Sequence, residues 1–428
     1  RYEIKPPGDN GILPEVFKKL FSLAASDIIY PMLSMVFLSP VVSFMREEGI
    51  DPKFILFLQG RSGTFKSTLA ALMLSFFGDF NDTSLPLRCS DTGNSIVEQA
   101  FLLKDILTAM DDFFPSTEAD KKRMTSTVQA VLRAYGDRAG RNKLKSDSSI
   151  RVSRPPRGNM ILTGEYMPDV GLSGISRLFS VYLNKGDVNQ DVLTELQEMA
   201  RNQILSGVMY DYILYLKEKR LTVDTFPKEL RRTFEKYRVV FQQKLRDNST
   251  HLRNIDQGAS FMVGMEMMLQ FMQYKQILKS TIDEGMLAAQ EIILQGIMNQ
   301  GAELDSEKPA TKYCKALSAL VGSNAAALVN LDDVAEMSNS KNSKNLIGYY
   351  DNEFYYIDDS ISFQNVCKFY SGQGSTFPVN LTALKRSLKE EGLLKCTENS
   401  MMLQKNIKGN KNKRYLWVYK KRFNEICE

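Results

Sequence analysis

Short apolar runs alternate with helical stretches between about residue 54 and residue 183. The runs of strand length are residues 54–58, 106–110, 160–163 and 178–183. They are apolar almost throughout, which is typical of strands covered on both faces, whereas strands with one solvated face alternate apolar and polar residues. Strands of this kind with helical sequence between them predict an α/β fold built on a mostly parallel sheet.

Helical patterns precede and follow this region. Residues 1–50 carry apolar side chains at helical spacing and predict a helical lead-in. Residues 191–335 predict a helical region that includes the segments 193–216 and 261–278. Methionines recur at helical spacing in the second of these segments, and such residues most often fill gaps in a core.

One helical segment has the composition of a membrane span. Residues 28–45 contain no charged side chain and, at 18 residues, approach the length that crosses a bilayer. Pro31 and Pro40 interrupt the segment, and no signal-peptide flanks accompany it. The segment therefore predicts a buried, broken helix, and no membrane partner is expected.

A different pattern begins after residues 339–344, a polar segment with the composition of a linker. Residues 376–392 predict a capped helix with leucines on one face. The runs 403–407 and 415–419 then flank a basic tip, which is typical of a β-hairpin. A helix followed by such a hairpin predicts a C-terminal winged helix within residues 345–428.

A winged helix can place its helix in a major groove and its hairpin along phosphates, although some winged helices bind proteins instead. The basic residues in position for DNA contacts are Lys385, Arg386, Lys389, Lys408, Lys411 and Lys413. The last 51 residues hold 12 Lys and Arg against 5 Asp and Glu, whereas the other 377 hold 43 against 45. Because the positive excess is concentrated here, this module is expected to bind a polyanion such as DNA.

The composition narrows the class of protein. The chain of 428 residues is 43% apolar and 25% charged, as in ordinary soluble proteins of several domains. Five Cys without C-x-x-C spacing and a single His argue against a zinc site or a disulfide framework. This cysteine usage fits a reducing compartment and predicts a cytoplasmic protein. The first residue is Arg1, which is consistent with a fragment that lacks upstream domains.

The first apolar run leads into a glycine-bearing turn that ends in Lys66 and Ser67. The spacing fits the phosphate-binding loop G-x-x-x-x-G-K-[ST], in which backbone N–H groups and the Lys hold nucleotide phosphates and the Ser joins the Mg²⁺ shell. Phe65 replaces the second glycine and Gly63 comes two residues early, so the conformation of the loop is an open question. ATP and Mg²⁺ are the expected ligands. The expected contact residues are Gly60, Arg61, Ser62, Gly63, Thr64, Phe65, Lys66, Ser67 and Thr68.

The second apolar run ends in Asp111 and Asp112. A Walker B strand ends in this way, with one carboxylate for Mg²⁺ and a second to orient the water that attacks the γ-phosphate. We assign Asp111 to the metal and Asp112 to the water. The usual second residue is Glu, and Asp is one methylene shorter. Slow hydrolysis is therefore one alternative, and a surface Asp pair without a role is another.

Two more residues adjoin apolar runs. Thr163 ends the third run, and a parallel sheet would place it between the phosphate loop and the carboxylates, where it could sense the γ-phosphate. Arg177 precedes the fourth run, a position suited to an arginine finger that reaches the nucleotide of a neighbouring subunit. A strand-end Thr without function and an Arg that neutralises a nearby carboxylate are the alternatives.

A basic segment lies between the carboxylates and Thr163. Residues 138–157 hold seven basic residues and one acid, and a central turn predicts a hairpin. The candidates for contact with a phosphodiester backbone are Arg141, Lys143, Lys145, Arg151 and Arg154. A solvated basic loop is the alternative.

This set of motifs resembles the MCM-like, self-loading replicative helicases of staphylococcal mobile elements, of the cassette-chromosome and pathogenicity-island Rep type, within the AAA+ ATPases. The resemblance is carried by the phosphate loop, the Asp pair, the basic hairpin, Thr163-Gly-Glu165 and Ser176-Arg177-Leu-Phe179. It implies a hexameric ring that translocates on DNA at the expense of ATP, a hairpin that lines the pore, and a finger role for Arg177. The last motif is similar to the Ser-Arg-Phe-Asp motif of MCM proteins but lacks the Asp.

The expected organisation is a helical lead-in (1–50), an AAA+ P-loop ATPase core (51–190), a helical region (191–335) and a winged helix (345–428). The resemblance implies an ATP hydrolase and DNA helicase that acts in replication initiation of a mobile genetic element, with ATP hydrolysed between subunits. Two alternatives stay open: a DNA-binding initiator or scaffold that uses nucleotide only for assembly, and a fragment of a phage-type primase-helicase.

Overall fold

The computed structural model describes residues 1–8, 10–138, 154–222, 224–246, 252–332, 345–373, 375–398, 400–407 and 412–427. The chain divides into two compact units, Arg1–Ala302 and Glu303–Glu428.

A five-stranded parallel sheet forms the centre of the first unit. Its strands are β1 Ile55–Gly60, β2 Leu87–Arg88, β3 Leu107–Phe113, β4 Asn159–Gly164 and β5 Leu178–Leu183. They lie in the order β2-β3-β4-β1-β5, and every neighbouring pair is parallel. The prediction of an α/β fold with a parallel sheet is confirmed, and the four apolar runs are four of its strands.

Helices cover the sheet and extend the unit. They are α1 Leu13–Ser22, α2 Ser26–Leu38, α3 Val42–Glu47, α4 Lys66–Leu74, α5 Gly93–Leu102, α6 Glu118–Asp137, α7 Gly171–Ile175, α8 Gln190–Arg201, α9 Ile204–Thr222, α10 Phe226–Lys244, α11 Leu252–Tyr274 and α12 Ile282–Glu307. The predicted helix 193–216 is in fact two helices, α8 and α9. The break falls at Gln203, whose φ of 62° cannot continue a right-handed helix.

The apolar N-terminal segment lies inside the first unit. Among the described residues, Ser26–Glu47 is the stretch long and apolar enough to cross a membrane, and 78% of its apolar window is buried in the fold. α11 packs closely on α2, because a Cβ at Gly264 would lie 2.2 Å from the carbonyl oxygen of Ser34. The burial is that of a core helix.

The second unit has its own sheet and core. The strands are β6 Ala327–Asn330, β7 Leu346–Tyr350, β8 Phe354–Ile357, β9 Leu394–Lys395, β10 Leu403–Gln404 and β11 Arg414–Tyr419. The helices are α13 Pro309–Gly322, α14 Asp359–Gly372, α15 Leu381–Glu390 and α16 Lys420–Cys427. The strand order is β10-β11-β8-β7-β6, with β9 also paired to β11. β6 and β7 are parallel and the other pairs are antiparallel.

The predicted C-terminal helix and hairpin correspond to α15 and to the antiparallel pair β10 and β11. Asn380 caps α15, since its side-chain oxygen accepts a hydrogen bond of 2.9 Å from the Ala383 N–H. Leu384 and Leu388 are fully buried in the core of the unit. The helix forms where the sequence predicts it because the capping residue and the apolar face indicate the same segment.

Candidate nucleotide-binding site

The predicted phosphate loop joins the carboxyl end of β1 to the first residue of α4, Lys66. The backbone approaches its neighbours closely at Gly60: a Cβ there would lie 2.4 Å from the Leu183 carbonyl oxygen and 2.6 Å from Oγ1 of Thr64. The Thr64 hydroxyl in turn donates a hydrogen bond of 2.9 Å to the Arg61 carbonyl. These contacts fix the turn in front of the helix N-terminus, where backbone N–H groups favour phosphate.

Phe65 has a left-handed backbone, with φ 64° and ψ 20°, and is the residue just before α4. The motif expects glycine here, and the conformation is the one that glycine adopts readily. An L-residue with a side chain pays about 1–2 kcal/mol for it. The ring of Phe65 is half-buried and packs against the main core, which offsets part of this cost.

The left-handed conformation makes an unusual stability order testable. Phe65→Gly and Phe65→Ala both lose the ring, but only the glycine variant relieves the backbone. We expect Phe65→Gly to be more stable than Phe65→Ala by about 1 kcal/mol in urea unfolding, the reverse of the usual order beside a helix. An alanine variant at least as stable as the glycine variant would show that the loop has another conformation.

The carboxylate strand and Thr163 meet the loop at the same edge of the sheet. Because β4 lies between β1 and β3, Thr163 sits between the loop and the Asp pair. The Ser67 hydroxyl donates to Oδ1 of Asp111 at 2.7 Å, and the Thr163 hydroxyl donates to the same oxygen at 2.5 Å. Oγ1 of Thr163 accepts a hydrogen bond of 3.0 Å from the Asp112 N–H. Four residues predicted from separate segments are thus linked by hydrogen bonds.

The backbone of β3 is irregular at Asp112. Its φ is 65°, and the β3–β4 register shifts between Met110 and Phe113. Burial, and then the charge of Asp111, raise the pKa of Asp112, while Lys66 acts in the opposite direction. The shift reflects two carboxylates crowded beside one ammonium group.

The ammonium group of Lys66 lies over the loop, where it donates a hydrogen bond of 3.0 Å to the Arg61 carbonyl. Burial lowers its pKa, and three carboxylates act against that shift. In order of effect, these are Glu165, Asp111 and Asp112. Lys66 is therefore the positive centre of a mainly acidic edge, as the partner of a triphosphate should be.

The residues present fit a magnesium–nucleotide ligand. The Ser67 hydroxyl and the Asp111 carboxylate lie side by side, and oxygen donors of this kind suit Mg²⁺. The described residues contain no group of three or more His, Cys, Asp or Glu that could hold a metal by itself.

Glu165 had no role in the predicted site, yet it belongs to this edge. It follows the last residue of β4, and its backbone N–H donates a hydrogen bond of 3.3 Å to the Phe113 carbonyl at the end of β3. Its charge acts on both Lys66 and Asp112. The signal in the sequence was its place two residues after Thr163, just beyond a strand end.

Arg177 lies at the amino end of the strands, opposite the phosphate loop. It precedes β5, and its carbonyl accepts a hydrogen bond of 2.9 Å from the Ile55 N–H at the start of β1. The carboxyl end of the six-residue β5 pairs with Gly60, so Arg177 is a strand length, about 17 Å, from its own phosphate loop.

The guanidinium group of Arg177 is buried in its own chain, with 8% of the side chain exposed. It forms an ion pair of 2.7 Å with Asp137 and also contacts Ser173. Its Nε is buried and, within the described part of the chain, has no hydrogen-bond partner. The side chain also packs on Gly136, where a Cβ would lie 2.2 Å from Nε.

The predicted DNA contacts are only partly visible. Arg141, Lys143, Lys145, Arg151, Lys408 and Lys411 lie outside the described residues. Arg154 forms an ion pair of 3.1 Å with Glu98. Lys385 forms an ion pair with Asp359, and Lys413 forms one of 2.6 Å with Asp358.

Two of the residues predicted to contact DNA are exposed to solvent. Arg386 and Lys389 are exposed on α15 and line a groove of about 510 Å³. The groove is also lined by two acids, Glu390 and Glu398, and by Thr397, Ser400 and Met401. These two residues, more than the ion-paired lysines, offer positive charge to a ligand.

Comparison with solved structures gives a match over the whole chain. The structure titled "SCCmec type IV Cch - active helicase" superposes with a TM-score of 0.63 at 17% sequence identity, covering 100% of this chain and 73% of that chain. The chain shares the fold of that helicase. A structure of JCV Helicase aligns over 47% of this chain and 61% of that chain at 14% identity, with a TM-score of 0.25 that is too low to indicate a common fold. No family profile and no curated protein matches the sequence.

Proposed function

We propose that the protein is an ATP-dependent DNA helicase, an MCM-like AAA+ enzyme of the cassette-chromosome and pathogenicity-island type. The observation that carries the proposal is the convergence of Lys66, Ser67, Asp111 and Thr163 at one sheet edge, in a chain that shares its fold with a helicase. On this proposal it acts in the cytoplasm as a hexameric ring in replication initiation of a mobile genetic element.

In this proposal each residue of the edge has one task. The loop N–H groups and Lys66 bind the β- and γ-phosphates, and Ser67 and Asp111 hold Mg²⁺. The bound Mg²⁺ would neutralise charge on the phosphates. Thr163 keeps Asp111 oriented through its hydrogen bond and lies where the presence of a γ-phosphate would disturb that bond. Asp112 faces the attacking water.

The proposed role of Arg177 is in a neighbouring subunit's site. Arg177 lies at the opposite end of the strands from its own loop, and this separation leaves it no role in cis. Its unpartnered Nε supports a function other than stability, because a buried donor without a partner costs about 1–3 kcal/mol. To act, the guanidinium would exchange Asp137 for the γ-phosphate across a subunit interface.

The proposed DNA-binding regions are the basic segment 138–157, in the channel of the ring, and residues 345–428, as a winged helix. Within the latter, α15 would face the groove of a duplex with Arg386 and Lys389. The AAA+ core at 51–190 and the helical region at 191–335 would then supply the motor.

Charge removal on α15 tests the DNA-binding surface. The double variant Arg386→Ala and Lys389→Ala should weaken duplex binding uniformly across sequences and lower the salt slope of the binding constant by about 2. Fluorescence anisotropy at several salt concentrations measures this. Lys421→Ala, which removes an exposed charge from α16, is the control and should change little. An unchanged slope in the double variant would remove α15 from the interface.

The function itself is tested by ATP turnover with and without single-stranded DNA. A translocating motor hydrolyses ATP faster when its track is bound, so we expect DNA to raise turnover. A protein that binds ATP and DNA but shows no turnover would instead be an initiator or scaffold that uses nucleotide for assembly.

A further inference from the structure

Glu165 occupies the middle of the proposed reaction edge. Gly164, the residue before it, pairs with Gln59 of β1 on one side and with Phe113 of β3 on the other. Glu165 is therefore the first residue beyond β4, between the strand that leads to the phosphate loop and the strand that carries the Asp pair.

The backbone around Glu165 is held tightly. A Cβ at Gly164 would lie 3.0 Å from Cβ of Phe113 and 3.0 Å from the ring of Phe57, so the end of β4 is packed on both sides. The Glu165 N–H is anchored to the Phe113 carbonyl at 3.3 Å. A side chain that starts from such a fixed point can reach a defined position.

The carboxylate of Glu165 is available for chemistry. It is half-exposed, and within the residues that the structure describes it makes no hydrogen bond and no ion pair. Asp111, by contrast, already accepts hydrogen bonds from Ser67 and Thr163. Among the neighbouring acids, Glu165 also has the largest charge effect on Lys66, which places it near the group that would hold the γ-phosphate.

We propose that Glu165 is a catalytic residue, the carboxylate that orients and deprotonates the attacking water beside the shorter Asp112. This inference rests on the proposed ATP hydrolysis. The water oxygen forms a bond to the γ-phosphorus as the bond to the bridging oxygen of ADP breaks, and the water proton passes to Glu165. The proton then leaves to solvent, so that ATP and water give ADP and phosphate.

Glu165 complements the Asp pair in reach. A Walker B strand usually ends in Asp followed by Glu, whereas this one ends in two Asp residues, and Asp112 lacks one methylene. Glu165 brings a full-length Glu side chain to the same edge from the next strand. The two carboxylates would share the water, with Glu165 as the longer arm.

The test compares Glu165→Gln, which keeps the shape of the side chain, with the wild type. We expect kcat for ATP to fall by about 100-fold or more, while KM and the affinity for a fluorescent ATP analogue stay unchanged. The control is Glu198→Gln on the exposed face of α8, which makes the same charge change at a residue with no part in the proposed site and should leave kcat intact. A kcat for Glu165→Gln within threefold of wild type would overturn the inference.

A second variant separates chemistry from folding. Adding Asp112→Glu to Glu165→Gln supplies a longer carboxylate from β3 and should recover kcat by about tenfold. Loss of nucleotide binding in Glu165→Gln without such a recovery would mean a structural role and would also overturn the inference. Failure of the wild type to hydrolyse ATP would remove the proposed function, whereas normal turnover in Glu165→Gln would remove only the role of Glu165.

Discussion

Lys66→Ala is expected to lower ATP turnover by about 100- to 1000-fold. The ammonium group is the positive centre of an edge that also carries Asp111, Asp112 and Glu165. Without it, a triphosphate would face three carboxylates, and the charge that develops on the γ-phosphate oxygens would lose its nearest fixed cation. Steady-state phosphate release, with and without DNA, measures the effect.

The matched control for this variant is Lys18→Ala, an exposed lysine on α1. It removes the same charge away from the loop and should keep wild-type turnover. Urea unfolding of both variants should match the wild type, because Lys66 is only half-buried and leaves no cavity in the core. Turnover of Lys66→Ala within tenfold of the wild type would contradict the assignment of the loop.

Arg177→Ala is expected to lower turnover about 1000-fold while leaving ATP affinity unchanged. The reason is geometric: Arg177 precedes β5, at the opposite end of the strands from its own loop, and in the proposed ring it would contact the ATP of a neighbouring subunit. If so, mixing Arg177→Ala with Lys66→Ala should restore activity, because a wild-type Arg177 can then serve a wild-type Lys66. Random mixing in a ring restores about one quarter of the sites.

Asp137→Ala separates this role from a structural one. Asp137 is half-exposed and is the carboxylate paired with Arg177. If Arg177 served only to neutralise Asp137, Asp137→Ala would be the more destabilised variant, because it leaves the buried guanidinium unpaired, and mixing would restore nothing. In the trans assignment, Asp137→Ala keeps substantial turnover, because it releases the guanidinium from its ion pair.

The predictable part of the fold follows from burial. Parallel strands covered on both faces must be apolar, so β1, β3, β4 and β5 stood out in the sequence. The strand β2 has only two residues and carries no pattern of its own. The break between α8 and α9 was missed because it depends on the backbone angle of one polar residue, Gln203.

Some features of the site could likewise be predicted from the sequence, and others could not. Ser67, Asp111 and Thr163 could be placed together because the ends of parallel strands meet at one edge. The conformation of Phe65 could not be read, since a side chain in a glycine position leaves both the strained and the relaxed loop open.

Ion pairs between distant segments were the least accessible to sequence reasoning. Arg177 and Asp137 are 40 residues apart, and Lys385 meets Asp359 from another helix. Local patterns carry no information about which tertiary partner a charge will find. Pairing of this kind changes which basic residues are free to bind DNA, as on α15.

The central claim is that ATP hydrolysis at this edge drives strand separation. The most direct measurement is displacement of a labelled strand from a forked DNA duplex by the full chain, with ATP and Mg²⁺ or with a non-hydrolysable analogue. We predict displacement by the wild type with ATP only, and none by Lys66→Ala. A wild-type protein that binds ATP and the fork but neither hydrolyses nor separates the strands would contradict the account.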